Sequence, residues 1–272
     1  MDSLNQHVFL LWPAVVILSA SLSMLTQWRF SWSELVMDYL AGMVLGFFFF
    51  LGTQSTAGFL AHAALVFSHG VWGLLFVTST IATRDDLFWI AAGATLGATL
   101  LSGLLDRAAV AIGNNVGGFF LSLLVLLPLK LPFALLTSTV GLAIFLVGLY
   151  RRTNEDKNTV PRTGIGLEGG LAYVEWDTAG PERDATTLGI GLPVWTGHVE
   201  SAIEHELYHS RQYVMLRDWM IPTWIAGGVW GLVSSWIDGS FSTDAFISAK
   251  HDKEVGNPME RVGYQINGYS IF

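Results

Sequence analysis

Before Arg151 the chain divides into six apolar stretches, near 8–26, 36–54, 58–81, 87–105, 109–127 and 131–150. Each comes close to the roughly 20 residues that a helix needs to cross the hydrocarbon core of a bilayer. Their separators are short and polar: QWRFSWSE, TQSTAG, TRDD, the Asp106-Arg107 pair and the proline-flanked Lys130. A backbone buried in lipid must satisfy its own hydrogen bonds, so the pattern predicts a polytopic helical bundle over residues 1–150. The first run has no Lys or Arg ahead of Val8 and is expected to be a retained membrane helix rather than a cleaved leader.

Charge divides the chain at the same place. Residues 1–150 carry 10 charged side chains and residues 151–272 carry 26, on an overall mean hydropathy of +0.49. The second part is expected to be a small α+β domain, which makes the whole mostly α. A net charge of -8 argues against nucleic acid as a partner, and the absence of Cys removes disulfides and thiolate ligands. After the polar linker RRTNEDKNTVPRTG, residues 171–176 and 186–195 read as short strands about the turn-rich DTAGPERD. They could form a hairpin supporting the next helix, or an edge on which an extended peptide rests.

That next helix, from about Thr196 to Arg217, contains His205, Glu206 and His209 in the order H-E-x-x-H. Residues four apart share a helix face, so both imidazoles can converge on one metal ion. Glu206, one residue round, can reach a water on that ion as general base, which is the arrangement of a zinc hydrolase. Gln212 follows on the same face and can hold a ligand or a substrate amide. His198, seven residues before His205, is either a second group around the metal or a helix-start residue. Tyr208, Tyr213 and Tyr264 each offer a hydroxyl for a developing oxyanion, against an ordinary packing role.

HELYH with Arg211-Gln212-Tyr213, and the later Asn257-Pro258-Met259-Glu260, resembles the zincin metallopeptidases of the glutamate-ligand type. More narrowly it is similar to bacterial membrane or exported proteins carrying HExxHxRQ and then NPxE. The resemblance spans about 164–268. It implies a zincin-like fold for residues 151–272, Zn²⁺ as cofactor, Glu260 as third ligand, and a protein or peptide substrate cut at or near the membrane surface. The metzincin branch is excluded, since positions 212 and 215 are Gln and Met. Read from its residues alone, Glu260 could instead bond back to the cap Asn257, with His251, Glu254 and His198 as reserve ligands.

One conflict is visible in advance. Residues 219–237 are uncharged and long enough to span, which would put His209 and Glu260 on opposite sides of the bilayer. A re-entrant or protein-covered hairpin at 219–237, interrupted by Pro222 and Gly227-Gly228, removes the conflict. Were it to span, His198, Glu175 or Asp177 would have to supply the third ligand. Within the bundle, Asp38 is expected to be wetted by the interface, Asn114 and Asn115 to bond between helices, Gly93 with Gly97 to pack closely, and His62 with His69 to be structural. Lys and Arg placement favours a cytoplasmic metal domain, and the resemblance implies a bacterial inner membrane. The rival reading is a transport or scaffold protein whose metal site is structural or vestigial.

Overall fold

The computed structural model describes residues 2–54, 57–78, 84–112, 115–155, 164–175, 187, 189, 191–194, 199–250 and 253–267. Helices α1 (Asp2–Gln27) and α2 (Trp32–Thr53) form an antiparallel hairpin. Two glycines of α2 set its closeness: a Cβ at Gly42 would fall 2.8 Å from the Pro13 backbone, and one at Gly46 3.0 Å from Phe9 O. Ser31 caps α2, its Oγ accepting from Glu34 N at 3.2 Å. Trp12, Phe49 and Phe88 pack as a buried aromatic cluster beside this pair.

The third apolar stretch is not one span. It breaks into α3 (Phe59–His69) and α4 (Val71–Thr78) at Gly70. The φ of +56° there favours glycine, and so does the space, since a Cβ would fall 2.8 Å from Phe133 O. The pieces rise only about 16 and 12 Å, well short of a hydrocarbon core. α4 folds back onto α3, with Gly73 seated on the Leu65 and Val66 backbone.

The expected boundary at Asp106-Arg107 is also absent, because α5 (Arg84–Ile112) runs straight through it. Asp106 is buried and ion-paired with Lys130 at 2.8 Å and Arg211 at 3.1 Å. Lys130 ends a broken helix, α6 (Val116–Leu121) and α7 (Leu127–Lys130) joined by a π-helical turn at Ser122–Leu126. Its ammonium also donates to Gly169 O at 2.7 Å and Ser210 Oγ at 2.9 Å. Charges that look like loop markers are therefore paired inside the protein, where an isolated ion would be costly. Among the described residues a Cβ at Gly93 or Gly97 would meet nothing within 4 Å, so the close packing expected of them is not made there; Asn115 caps α6 through Oδ1, and its Nδ2 donates to Ile112 O at the end of α5 at 2.7 Å. Asn114 lies outside the described residues.

α8 (Leu135–Asn154) starts without a cap of its own, and Asp218 supplies one from far along the chain. Its carboxylate accepts from Leu136 N at 3.1 Å and from Thr137 N and Oγ1 at 2.8 and 2.7 Å. Against α8 lies a three-stranded sheet in the order β1 (Gly164–Glu168), β2 (Leu171–Glu175), β3 (Gly191–Val194). The hairpin is β1 with β2, turning at Gly169-Gly170 with positive φ at both, as two-residue hairpins favour. The two strands expected from the sequence pair with each other in parallel, so they are not hairpin partners.

α9 (Val199–Leu216) leads through a 3-10 turn at Arg217–Trp219 into α10 (Met220–Ile237), and the last described helix is α11 (Pro258–Asn267). Arg217, at φ +60°, is buried with its guanidinium 4.4 Å from the Phe133 ring and bonded to Thr95 Oγ1 at 2.7 Å. Among the described residues, five segments are long and apolar enough to cross a membrane: Phe9–Gln27, Trp32–Thr53, Asp86–Ala109, Leu135–Asn154 and Ile203–Ile237. By length and composition this is a helical membrane protein.

The chain after α10 comes back along that helix. Gly227, Gly228 and Gly231 present bare backbone to it: a Cβ at Gly231 would strike Ala245 O and lie 2.7 Å from Asn257 N, and one at Gly228 would lie 2.7 Å from Phe246 O. Asn257 Nδ2 donates to Trp224 O at 3.2 Å and Phe246 O at 3.0 Å, and Gly256 N donates to Ser234 Oγ at 3.0 Å. The opposite face, Ile221, Ile225, Val229 and Val233, is exposed and apolar. A Gly231→Val substitution should displace the return segment and cost about 1–3 kcal/mol, the usual range for overpacking. Denaturation of the detergent-solubilised protein, with metal content measured in parallel, checks this; Val229→Leu on the open face should change neither.

Candidate metal centre

Two turns of α9 carry the H-E-x-x-H residues, and the helical repeat puts His205 and His209 on one face with their Nε2 atoms 2.9 Å apart. Glu260, in the first turn of α11, brings Oε2 to 2.9 Å from His205 Nε2 and 3.1 Å from His209 Nε2. All three side chains are buried, and together they form a group able to hold a metal ion. The cap alternative for Glu260 is not the one adopted. Asn257 N already donates to Ser248 O at 2.8 Å, while Asn257 Oδ1 caps Met259 N at 3.1 Å. The Glu260 carboxylate is left to turn toward the imidazoles, and Trp224 Nε1 donates to its Oε1.

Burial pushes the Glu260 carboxyl up, but the charge on His209 and hydrogen bonds from both imidazoles hold it well below the usual carboxylate range. The donor set also fits in its proton placement. Gln212 Nε2 donates to Glu34 Oε1 at 2.8 Å and to Met259 O at 3.1 Å, and the Met259 carbonyl oxygen can only accept. The amide oxygen of Gln212 must therefore face His209, where it lies 2.6 Å from Nδ1. With a cation in the trio, Nδ1 would keep its proton toward that oxygen and Nε2 would be the atom free to ligate. Two nitrogens and one carboxylate oxygen make a donor set of the kind that three-ligand zinc sites use.

No protein-family model, curated protein or solved structure matches this chain. The site is therefore read from its own geometry.

Glu206 is buried beside the trio, close enough for its charge to act on His209, and its Oε2 accepts from Thr187 Oγ1 at 2.6 Å. Tyr264 rests its ring edge on His205, centroids 4.9 Å apart. The other two tyrosine hydroxyls point elsewhere, Tyr208 to Glu34 and Tyr213 to Thr187 O at 3.2 Å. Glu254 is held by Arg261 at 3.1 Å, and neither it nor Glu175 joins the trio among the described residues. His198, His251 and Asp177 lie outside the described residues. His69 is buried away from the site with Nε2 bonded to Leu45 O at 3.0 Å, and His62 is half-buried on the same helix. Asp38 is fully buried, not wetted as its position near the start of α2 suggests.

Four contributors have no signal in the H-E-x-x-H pattern: Glu34, Thr187, Trp224 and Gly263. Glu34, just after a serine cap, reads as an ordinary first-turn acid. Gly263 lies flat against His205, whose ring atoms would be 2.7–2.9 Å from any Cβ there. Gly263→Val should push that ring out of register, lowering zinc affinity by at least about tenfold while the bundle stays folded. Competition with a chromophoric chelator measures it.

Proposed function

We propose that this protein is a membrane-bound, zinc-dependent hydrolase, and that its substrate is a peptide bond at or near the membrane surface. The observation that carries the reading is the meeting of His205, His209 and Glu260 with a buried Glu206 beside them. When bound, zinc supplies Lewis acidity and a water whose pKa falls toward about 7. The residues of the chain do the rest. His205, His209 and Glu260 hold the cation, Gln212 fixes the tautomer of His209, and Trp224 fixes the Glu260 carboxylate. Thr187 occupies Oε2 of Glu206, so Oε1 is the atom that takes the water proton and passes it to the leaving amine. Tyr264, against His205, is the hydroxyl best placed to face a developing oxyanion.

Hydrolysis rests on the residues; the choice of a peptide over a lipid ester rests on the resemblance to zincins, as does the zincin-like character of residues 151–272. A bacterial inner-membrane location rests on the same resemblance, and a cytoplasmic metal domain on Arg151, Arg152, Lys157 and Arg162 following the last bundle helix.

The test uses the full chain in detergent or nanodiscs with fluorogenic peptides. Activity should vanish with a chelator and return with Zn²⁺. Glu206→Gln should lower turnover by at least about 10²–10⁴-fold, the share of a general base, with zinc content unchanged. Turnover retained in Glu206→Gln, or a wild-type chain that takes up no metal, would overturn the reading.

A further inference from the structure

The H-E-x-x-H helix supplies His209, but the group that decides how His209 presents itself comes from the opposite end of the sequence. We propose that Glu34 of α2 is a positioning residue of the metal centre, acting through Gln212 on His209, so that the amino-terminal hairpin is part of the site. The inference rests on the metal-binding reading above.

Glu34 is fully buried one turn into α2, fixed by the Ser31 cap. Its Oε1 accepts from two residues of α9 at once, the Tyr208 hydroxyl and Gln212 Nε2, the latter at 2.8 Å. Tyr208 precedes His209 and Gln212 lies one turn on, so the carboxylate clasps the stretch of helix that carries the ligand. With both neighbours donating to it, Oε1 acts here as an acceptor. That orients the Gln212 amide with nitrogen toward α2 and oxygen toward His209 Nδ1, 2.6 Å away. Were the amide reversed, its NH₂ would face Nδ1, the ring would adopt the other tautomer, and Nε2 would carry a hydrogen where the cation must sit. Met259 O, at 3.1 Å from Gln212 Nε2, supports the same orientation from α11 but belongs to a helix that must itself dock. Glu34 therefore supplies the acceptor that α9 finds on the bundle side. The chain Glu34, Gln212, His209 is the carboxylate-to-imidazole support usual around zinc, lengthened by one amide.

Asp38 is the natural comparison. It lies one turn further along α2, is equally buried, and makes no hydrogen bond to any described residue. If removal of buried negative charge near the site were what mattered, Asp38→Asn would act like a change at Glu34.

The experiment loads the detergent-solubilised full chain with Co²⁺ and Zn²⁺ and needs no substrate. Glu34→Leu, which has no acceptor, should weaken Zn²⁺ affinity about 10–100-fold and alter the visible ligand-field bands of the Co²⁺ form. Glu34→Gln, which keeps an acceptor oxygen, should restore both toward wild type, and Asp38→Asn should leave both unchanged. Should Glu34→Leu fail to fold, Gln212→Leu tests the same chain from its middle and should show the same spectral change. Wild-type affinity and spectrum in Glu34→Leu or Gln212→Leu would overturn the proposal, as would an Asp38→Asn loss as large as that of Glu34→Leu. A wild-type chain that binds neither ion would instead sink the function proposed above.

Discussion

A single helix can offer two imidazoles to one cation, but it cannot offer the third donor from the same face at the same height. In this protein the carboxylate that meets the two imidazoles is that of Glu260, 51 residues after His209, and the intervening chain has to return it. The glycine face of α10 makes the return possible. Because Gly227, Gly228 and Gly231 expose backbone, Ala245, Phe246, Gly256 and Asn257 lie directly on the helix, and polar groups there find partners. An α10 that simply crossed and departed would leave the two imidazoles without a carboxylate. The segment that looks most like a membrane span in the carboxy-terminal half is thus also the backing on which the last helix is mounted.

The amino-terminal bundle is tied to the same region by charges rather than by apolar contact alone. Asp106 of α5, Lys130 of α7 and Arg211 of α9 meet out of water, and the Lys130 ammonium also reaches the β1–β2 turn. Asp218, just past α9, closes the open amino end of α8. A buried pair is weak evidence of stability, since desolvation consumes most of the Coulomb gain; its effect is to forbid other arrangements, because shifting any one member leaves a charge unpaired. Three helices, α5, α7 and α8, and a turn are thereby held in one relative placement around α9, the helix that carries His205 and His209.

What was readable in the sequence follows the range of the forces involved. His205, Glu206 and His209 were legible because helical geometry fixes residues four apart whatever surrounds them. Gln212 was legible for the same reason, and Glu260 through its NPxE setting. Asp106 and Lys130 misled because a charge in an apolar chain resembles a boundary until its partner is known, and each partner is far away in sequence. Gly70 was invisible inside an unbroken apolar run, since what breaks the helix there is the backbone of Pro132 and Phe133. The strands at 171–176 and 186–195 were located, yet their parallel pairing depends on β1, a glycine-alternating segment with little strand character of its own. Glu34 could not be found at all, because nothing local links it to a helix more than 170 residues away.

The contact between Gly263 and the His205 imidazole has a thermodynamic consequence. With no side chain interposed, seating the terminal helix and aligning the ring are one event, and the carboxylate arrives with them. Anything that occupies the trio then holds that helix down by mass action, by about 2.7 kcal/mol when the free ion stands at 100 times its dissociation constant. If the trio takes up an ion as proposed, ion availability and the seating of α11 form a single equilibrium: scarcity of the ion would loosen the very element that completes its own binding place.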